Sequence, residues 1–193
     1  MYPWLVIFLL SIELTPAHSQ TIDFQIYKWE EVLQANPDTI FGLSFSKEKR
    51  SELPVELSRF TRLRYLDISK NKFKVLPDFL DSLKNLEVFI GSKNDFDIFP
   101  LLLTRIEPLK NIILNRNGIE QVPELIQTCK NLQKLDLSDN PIGSLPISFF
   151  SLGNLQVVDL TGVRFGPRYQ NYIKNMRTDI EWILDPPCDC MER

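Results

Sequence analysis

The chain has 193 residues, 44% of them hydrophobic and 24% charged, with a formal net charge of −3. Those values exclude an intrinsically disordered chain and the overall basic field of a general nucleic-acid binder. A single histidine, His18, leaves no material for histidine-based acid–base chemistry or a histidine-rich metal site.

An apolar run from Trp4 to Ile12 opens the chain, and Ala17-His18-Ser19 before Gln20 has the small-x-small form of a signal-peptidase site. The run is shorter than the ~20 residues that cross a bilayer. No Lys or Arg precedes it. Residues 1–19 are therefore expected to be a signal peptide, and the mature protein secreted or luminal. The alternative is a cytoplasmic protein that keeps the run as a buried cap strand or helix. Neither an N-x-[ST] acceptor nor paired cysteines flanking the repeats are present. Those absences suit a cytosolic ancestry without forbidding export. In residues 20–39, Phe24, Trp29, Val32 and Leu33 recur at near-helical spacing and Pro37 stops them, which predicts a helical amino-terminal cap.

From residue 40 the chain repeats itself. Ile40, Leu63, Leu86, Leu109, Leu132 and Leu155 recur every 23 positions, and a fixed period of that size marks stacked units. Each complete unit has seven apolar slots, and only Arg50 and Gly91 depart from them. The pattern reads as a short strand, a turn and a return limb. In "LQKLDL" (132–137) strand alternation points Leu135 and Leu137 inward. The ninth position holds Asn71, Asn94, Asn117 and Asn140. A buried amide there bonds the backbone of neighbouring turns, so this Asn ladder is read as structural. Pro54, Pro77, Pro100, Pro123 and Pro146 open the return limbs. Gly91 removes an inward side chain from the unit that carries Phe89, Phe96 and Phe99, and those rings are expected to fill the gap. Cys129 occupies a core slot and is read as a buried, inert thiol.

Outward strand positions form columns, one step every ~4.8 Å. One column runs Gly42, Tyr65, Val88, Asn111, Lys134, Val157; the next runs Ser44, Asp67, Ile90, Ile113, Asp136, Asp159. A third is small and polar from Ser46 to Thr161, and beside it stand Lys47, Lys70, Lys93 and Arg116, then Asp139. Tyr65, Val88, Ile90 and Ile113 are adjacent in this grid and form an apolar centre. Lys70, Lys93 and Arg116 border it with positive charge, and Asp136, Asp139 and Asp159 make the far end acidic. This bipolar strip is the candidate partner-binding site.

After the last unit, Gly166-Pro167 opens a predicted short helix, and "TDIEWIL" (178–184) arrives where the next strand is due, so residues 166–184 form a carboxy-terminal cap. Residues 185–193 read as a tail. Its Cys188 and Cys190 are too close in sequence for an easy mutual disulfide and too few for zinc. In an oxidising compartment they are expected to join two chains into a disulfide-linked dimer. No phosphate loop and no Ser/His/Asp set appears, so no catalytic residue, metal or cofactor is expected.

The form L-x-x-L-x-L-x-x-N-x-φ-x-x-L-P-x-x-φ-x-x-L-x-x, with φ apolar, covers residues 40–165. It resembles leucine-rich repeat proteins, in particular the 23-residue class of the Ras-binding scaffold and Ras suppressor proteins. That resemblance implies an α/β solenoid of about six repeats, with parallel strands on the concave face, whose usual work is binding another protein. The expected function is non-enzymatic protein–protein recognition on the concave face, without a membrane span. The alternative is a cytoplasmic signalling scaffold, or a regulatory subunit that binds an enzyme such as a small GTPase or phosphatase.

Overall fold

The computed structural model describes residues 23–187. Eight three-residue strands form one parallel sheet: β1 (Ile26–Lys28), β2 (Gly42–Ser44), β3 (Tyr65–Asp67), β4 (Val88–Ile90), β5 (Asn111–Ile113), β6 (Lys134–Asp136), β7 (Val157–Asp159) and β8 (Glu181–Ile183). Their spatial order is their chain order. From β2 to β7 every pairing joins residues one repeat apart, as in Gly42↔Tyr65 and Lys134↔Val157. The sheet is thus the sequence period made visible, each unit contributing one strand.

The return limbs are 3-10 helices at Val55–Arg59, Asp78–Ser82, Leu101–Arg105, Glu124–Thr128 and Ile147–Ser151. Each follows its proline, whose φ lies between −64° and −74° and whose ψ is extended. The proline ring sets that φ at no cost, and its missing N–H falls where a helix start leaves N–H groups unpaired. Short limbs suit 3-10 geometry, which rarely runs beyond a few residues.

The core lies between strand layer and limbs and is continuous from Trp29 to Ile180. In the third unit, Phe89, Phe96 and Phe99 are fully buried. A Cβ on Gly91 would stand 2.9 Å from the Phe89 ring, 3.0 Å from Leu114 and 3.3 Å from Phe96. The rings therefore occupy the space that the glycine leaves. Cys129 is buried in its slot, and burial pushes its thiol up to about 11.

The amino-terminal cap differs from the expected helix. It is a strand, β1, followed by single 3-10 turns at Trp29–Glu31 and Pro37–Thr39. An open edge at β2 would leave its backbone groups without strand partners, and β1 supplies them in parallel register. Gly42 admits the close approach: a Cβ there would meet the Phe24 ring at 3.0 Å and the Gln25 carbonyl at 3.1 Å. Trp29 then stacks on Phe45 at 5.5 Å and meets Phe60 edge-on at 5.7 Å. Pairing and ring stacking override the helical spacing of Phe24, Trp29 and Val32, and Leu33 is left 54% exposed.

At the other end, a ten-residue α-helix, α1 (Pro167–Met176), replaces the 3-10 limb and β8 follows within the predicted 178–184. The last pairing, Val157↔Glu181, is one residue longer than the repeat. Arg177 fastens this cap: its guanidinium donates to the carbonyls of Phe150 and Leu152 at 3.1 and 2.8 Å and pairs with Asp179. Asp185, expected to begin a free tail, is bonded instead. Its carboxylate accepts from the Gly162 N–H at 2.8 Å and its carbonyl from Gln170. The expected signal peptide, Cys188 and Cys190, and the disulfide-linked dimer expected of those cysteines lie outside the described residues.

Candidate functional site on the concave face

The open face of the sheet is held in shape by the turns that leave its strands. Asn94 shows how. Its side-chain N–H group donates to the carbonyls of Ile68 and Gly91 at 3.0 Å each, and its oxygen accepts from the Phe73 N–H at 3.1 Å. Asn71, Asn117 and Asn140 repeat those bonds one unit away. Each amide thus ties its own turn to the turn of the preceding unit.

The residue just before each Asn is left-handed. Lys70, Lys93 and Arg116 have φ of 58°, 55° and 55°, with Lys47 at 66° and Asp139 at 54°. Such a conformation costs a side-chain-bearing residue about 1–2 kcal/mol, and the Asn bonds on either side hold it. This geometry was not apparent from the side-chain pattern of the column. Its one signal was Gly162, which occupies the same position in the last unit with φ 80°.

The carboxylates of the strip also belong to the turns. Asp136 accepts from the N–H and hydroxyl of Ser138 with one oxygen and from Asn115 at 2.7 Å with the other. Asp159 accepts from both N–H and hydroxyl of Thr161, and Asp67 from the Ser69 N–H at 2.8 Å. Asp136 is buried. The recurring Asp-x-Ser or Asp-x-Thr spacing was the signal for these Asx turns. The acidic end of the strip is therefore structural first, with its carboxylate oxygens already engaged by the turns.

Other members of the strip also sit differently from expectation. Tyr65 is only 4% exposed, so it does not present an apolar ring to solvent. Burial, with Asp67 nearby, raises its phenol. Arg116 is paired with Asp139 at 3.0 Å. Val88, Ile90 and Ile113 are half-buried and contiguous: Val88 and Ile90 lie on β4, and Ile113 is the register partner of Ile90 on β5. Lys70 and Lys93 are exposed in the adjoining turns.

One network went unnoticed in the sequence. On the rim of the face, Glu87 receives Arg64 Nε at 2.7 Å from one neighbouring unit and Lys110 Nζ at 2.7 Å from the other. Burial pushes the Glu87 carboxyl up, but the hydrogen bonds from Arg64 and Lys110 outweigh it and hold the group below its ordinary value. The Arg64 guanidinium also lies 5.3 Å over the Phe24 ring. The two ion pairs join residues one repeat apart, and no single unit reveals them. Among the described residues no group of three or more His, Cys, Asp or Glu is placed to hold a metal ion. No helix among them is long and apolar enough to cross a membrane.

Two stretches match family profiles described as leucine rich repeat, residues 107–165 and residues 62–86. Among solved structures, a leucine-rich repeat protein of Leptospira interrogans superposes with a TM-score of 0.63 at 25% identity, over 75% of this chain and 36% of its own. The internalin InlF of Listeria monocytogenes gives 0.62 at 15% identity, over 77% of this chain and 44% of its own. The functional domain of InlJ from the same organism gives 0.56 at 18% identity, over 75% of this chain and 29% of its own. This chain therefore spans less than half the length of each of those proteins. No curated protein matches its sequence significantly.

Proposed function

This chain is a leucine-rich repeat protein, and from that premise we propose that it is a non-enzymatic recognition module that binds another protein on its concave face. The observation that carries this reading is the contiguous, half-buried aliphatic patch of Val88, Ile90 and Ile113 in the middle of the sheet face. Lys70 and Lys93 stand beside it, exposed and without an ion-pair partner among the described residues. An apolar centre desolvates on contact, and a lysine border favours a partner with acidic groups around an apolar anchor. Asp136 and Asp159 are two of the three carboxylates of the expected acidic end. Their engagement in turns shifts the proposed site toward the third and fourth units.

Replacing Val88, Ile90 and Ile113 together with serine should abolish partner capture in a pull-down read by mass spectrometry, with the cooperative thermal transition retained. Unchanged capture overturns the site. The apolar run before Gln20 supports export of the mature protein. The likeness of the repeat to Ras-binding scaffolds supports the second reading, a cytoplasmic signalling scaffold or regulatory subunit. Sequencing the amino terminus of the mature protein separates them: Gln20 as first residue is expected, and a retained Met1 favours the scaffold.

A further inference from the structure

Past the strand-exit turns, each unit runs down one flank of the solenoid before reaching its proline. Backbone bonds tie the units together there. The Lys72 N–H donates to the Arg50 carbonyl at 2.7 Å, Asp95 to Phe73 at 3.0 Å, and Gly118 to Phe96 at 2.8 Å. Phe73, Phe96 and Ile119 turn inward and are fully buried, while the residues beside them stay exposed in columns.

Those columns change sign. Lys49 and Lys72 are followed in theirs by Asp95, and Lys74 is followed by Asp97 and then Glu120. All six side chains are exposed, and none has an ion-pair partner among the described residues. Glu52 is an acidic exception at the basic end. At the change-over stand Val75 and Ile98, 75% and 74% exposed, above every other large hydrophobic residue among those described. Beyond them, an open groove of about 580 Å³ lies between the fourth and fifth units, with Glu120 and Glu124 among its lining residues. Gly143, in the column of Lys74 and Asp97, also lines the groove, and a Cβ there would meet nothing within 4 Å.

A flank that is basic at one end, acidic at the other and apolar between is complementary to itself when turned end for end. Two copies related by a two-fold axis through the Val75–Ile98 patch bring the lysines of each against Asp97 and Glu120 of the other. That contact occurs twice by symmetry, and the apolar pairs meet at the axis. Such an interface is closed and stops at two. We propose that this flank binds a second copy of the chain, forming a non-covalent two-fold dimer that leaves both concave faces open. It is independent of Cys188 and Cys190.

The test uses the full chain in reductant, in sedimentation velocity over a range of concentrations at low and high salt. The expected result is a concentration-dependent monomer–dimer equilibrium that weakens with salt. Changing Val75 and Ile98 to Asp should raise the dissociation constant at least about tenfold. Two charge-reversed variants provide the decisive arm. Lys49→Glu, Lys72→Glu and Lys74→Glu together reverse the basic end, and Asp95→Lys, Asp97→Lys and Glu120→Lys together reverse the acidic end. Each alone should be monomeric, and an equal mixture should recover the dimer mass. A chain that stays monomeric at every concentration overturns the proposal, because the flank is then solvated or serves a different partner. A dimer seen only without reductant, or one indifferent to both reversals, overturns it as well.

Discussion

Gly91 and Phe89 show how closely one side chain's identity depends on another's absence. Truncating Phe89 to Ala removes a fully buried ring and should cost about 3–5 kcal/mol in a denaturant titration. Adding a methyl at Gly91 forces it against that ring and Leu114 and should cost about 1–3 kcal/mol. Because the two sites touch, the double variant should be destabilised by less than the sum of the two. A second single-residue effect belongs to Glu87. Its carboxyl is held below the ordinary range, so the folded chain takes up that proton less readily than the unfolded chain. The stabilisation is complete above the unfolded value, near pH 4.3, and is lost as pH falls through the lower folded value. Glu87→Gln should therefore be less stable than the parent at neutral pH, with the difference shrinking in acid. Unfolding curves at several pH values check this, and a gap that persists in acid counts against the network.

The elements differ in how openly their residues announced them. Strands, turns and limbs from residue 40 to 165 were legible because each apolar slot is repeated, so that a local ambiguity in one unit is resolved by its neighbours. The Asn column and the proline column were legible for the same reason. The amino-terminal cap occurs once, and its spacing matched a helix. What decides it is the open edge of β2, which is a tertiary fact. Changing Gly42 to Val should test that account. The added side chain pushes against Phe24, Gln25 and Ile26, so β1 should loosen and the chain lose about 1–3 kcal/mol. Faster amide exchange confined to Ile26–Lys28 and the following turn is the expected signature. The site was less legible than the fold. Val88, Ile90 and Ile113 lie where alternation put them. The burial of Tyr65 and the left-handed lysines depend on neighbouring units, which side-chain type alone does not convey, whereas the turn-bound carboxylates were legible in the Asp-x-Ser and Asp-x-Thr spacing.

At the scale of the whole molecule, strand order equals chain order, and every unit from the second strand onward rests on the one before and the one after. Among the described residues, no segment returns from a distance to lock the sheet shut. Stability in such an array is a sum of unit and interface contributions, and the end caps matter because each protects a single exposed interface. A strand with 3-10 turns covers one end and an α-helix with a strand covers the other. The linear order of units also means that tension on the two ends passes through the junctions in series, so that the weakest gives way first. Under a steady pull the molecule should pay out in separate steps, each freeing one 23-residue coil and about 80 Å of slack, so that it behaves as a spring with a built-in length scale rather than a bead that bursts.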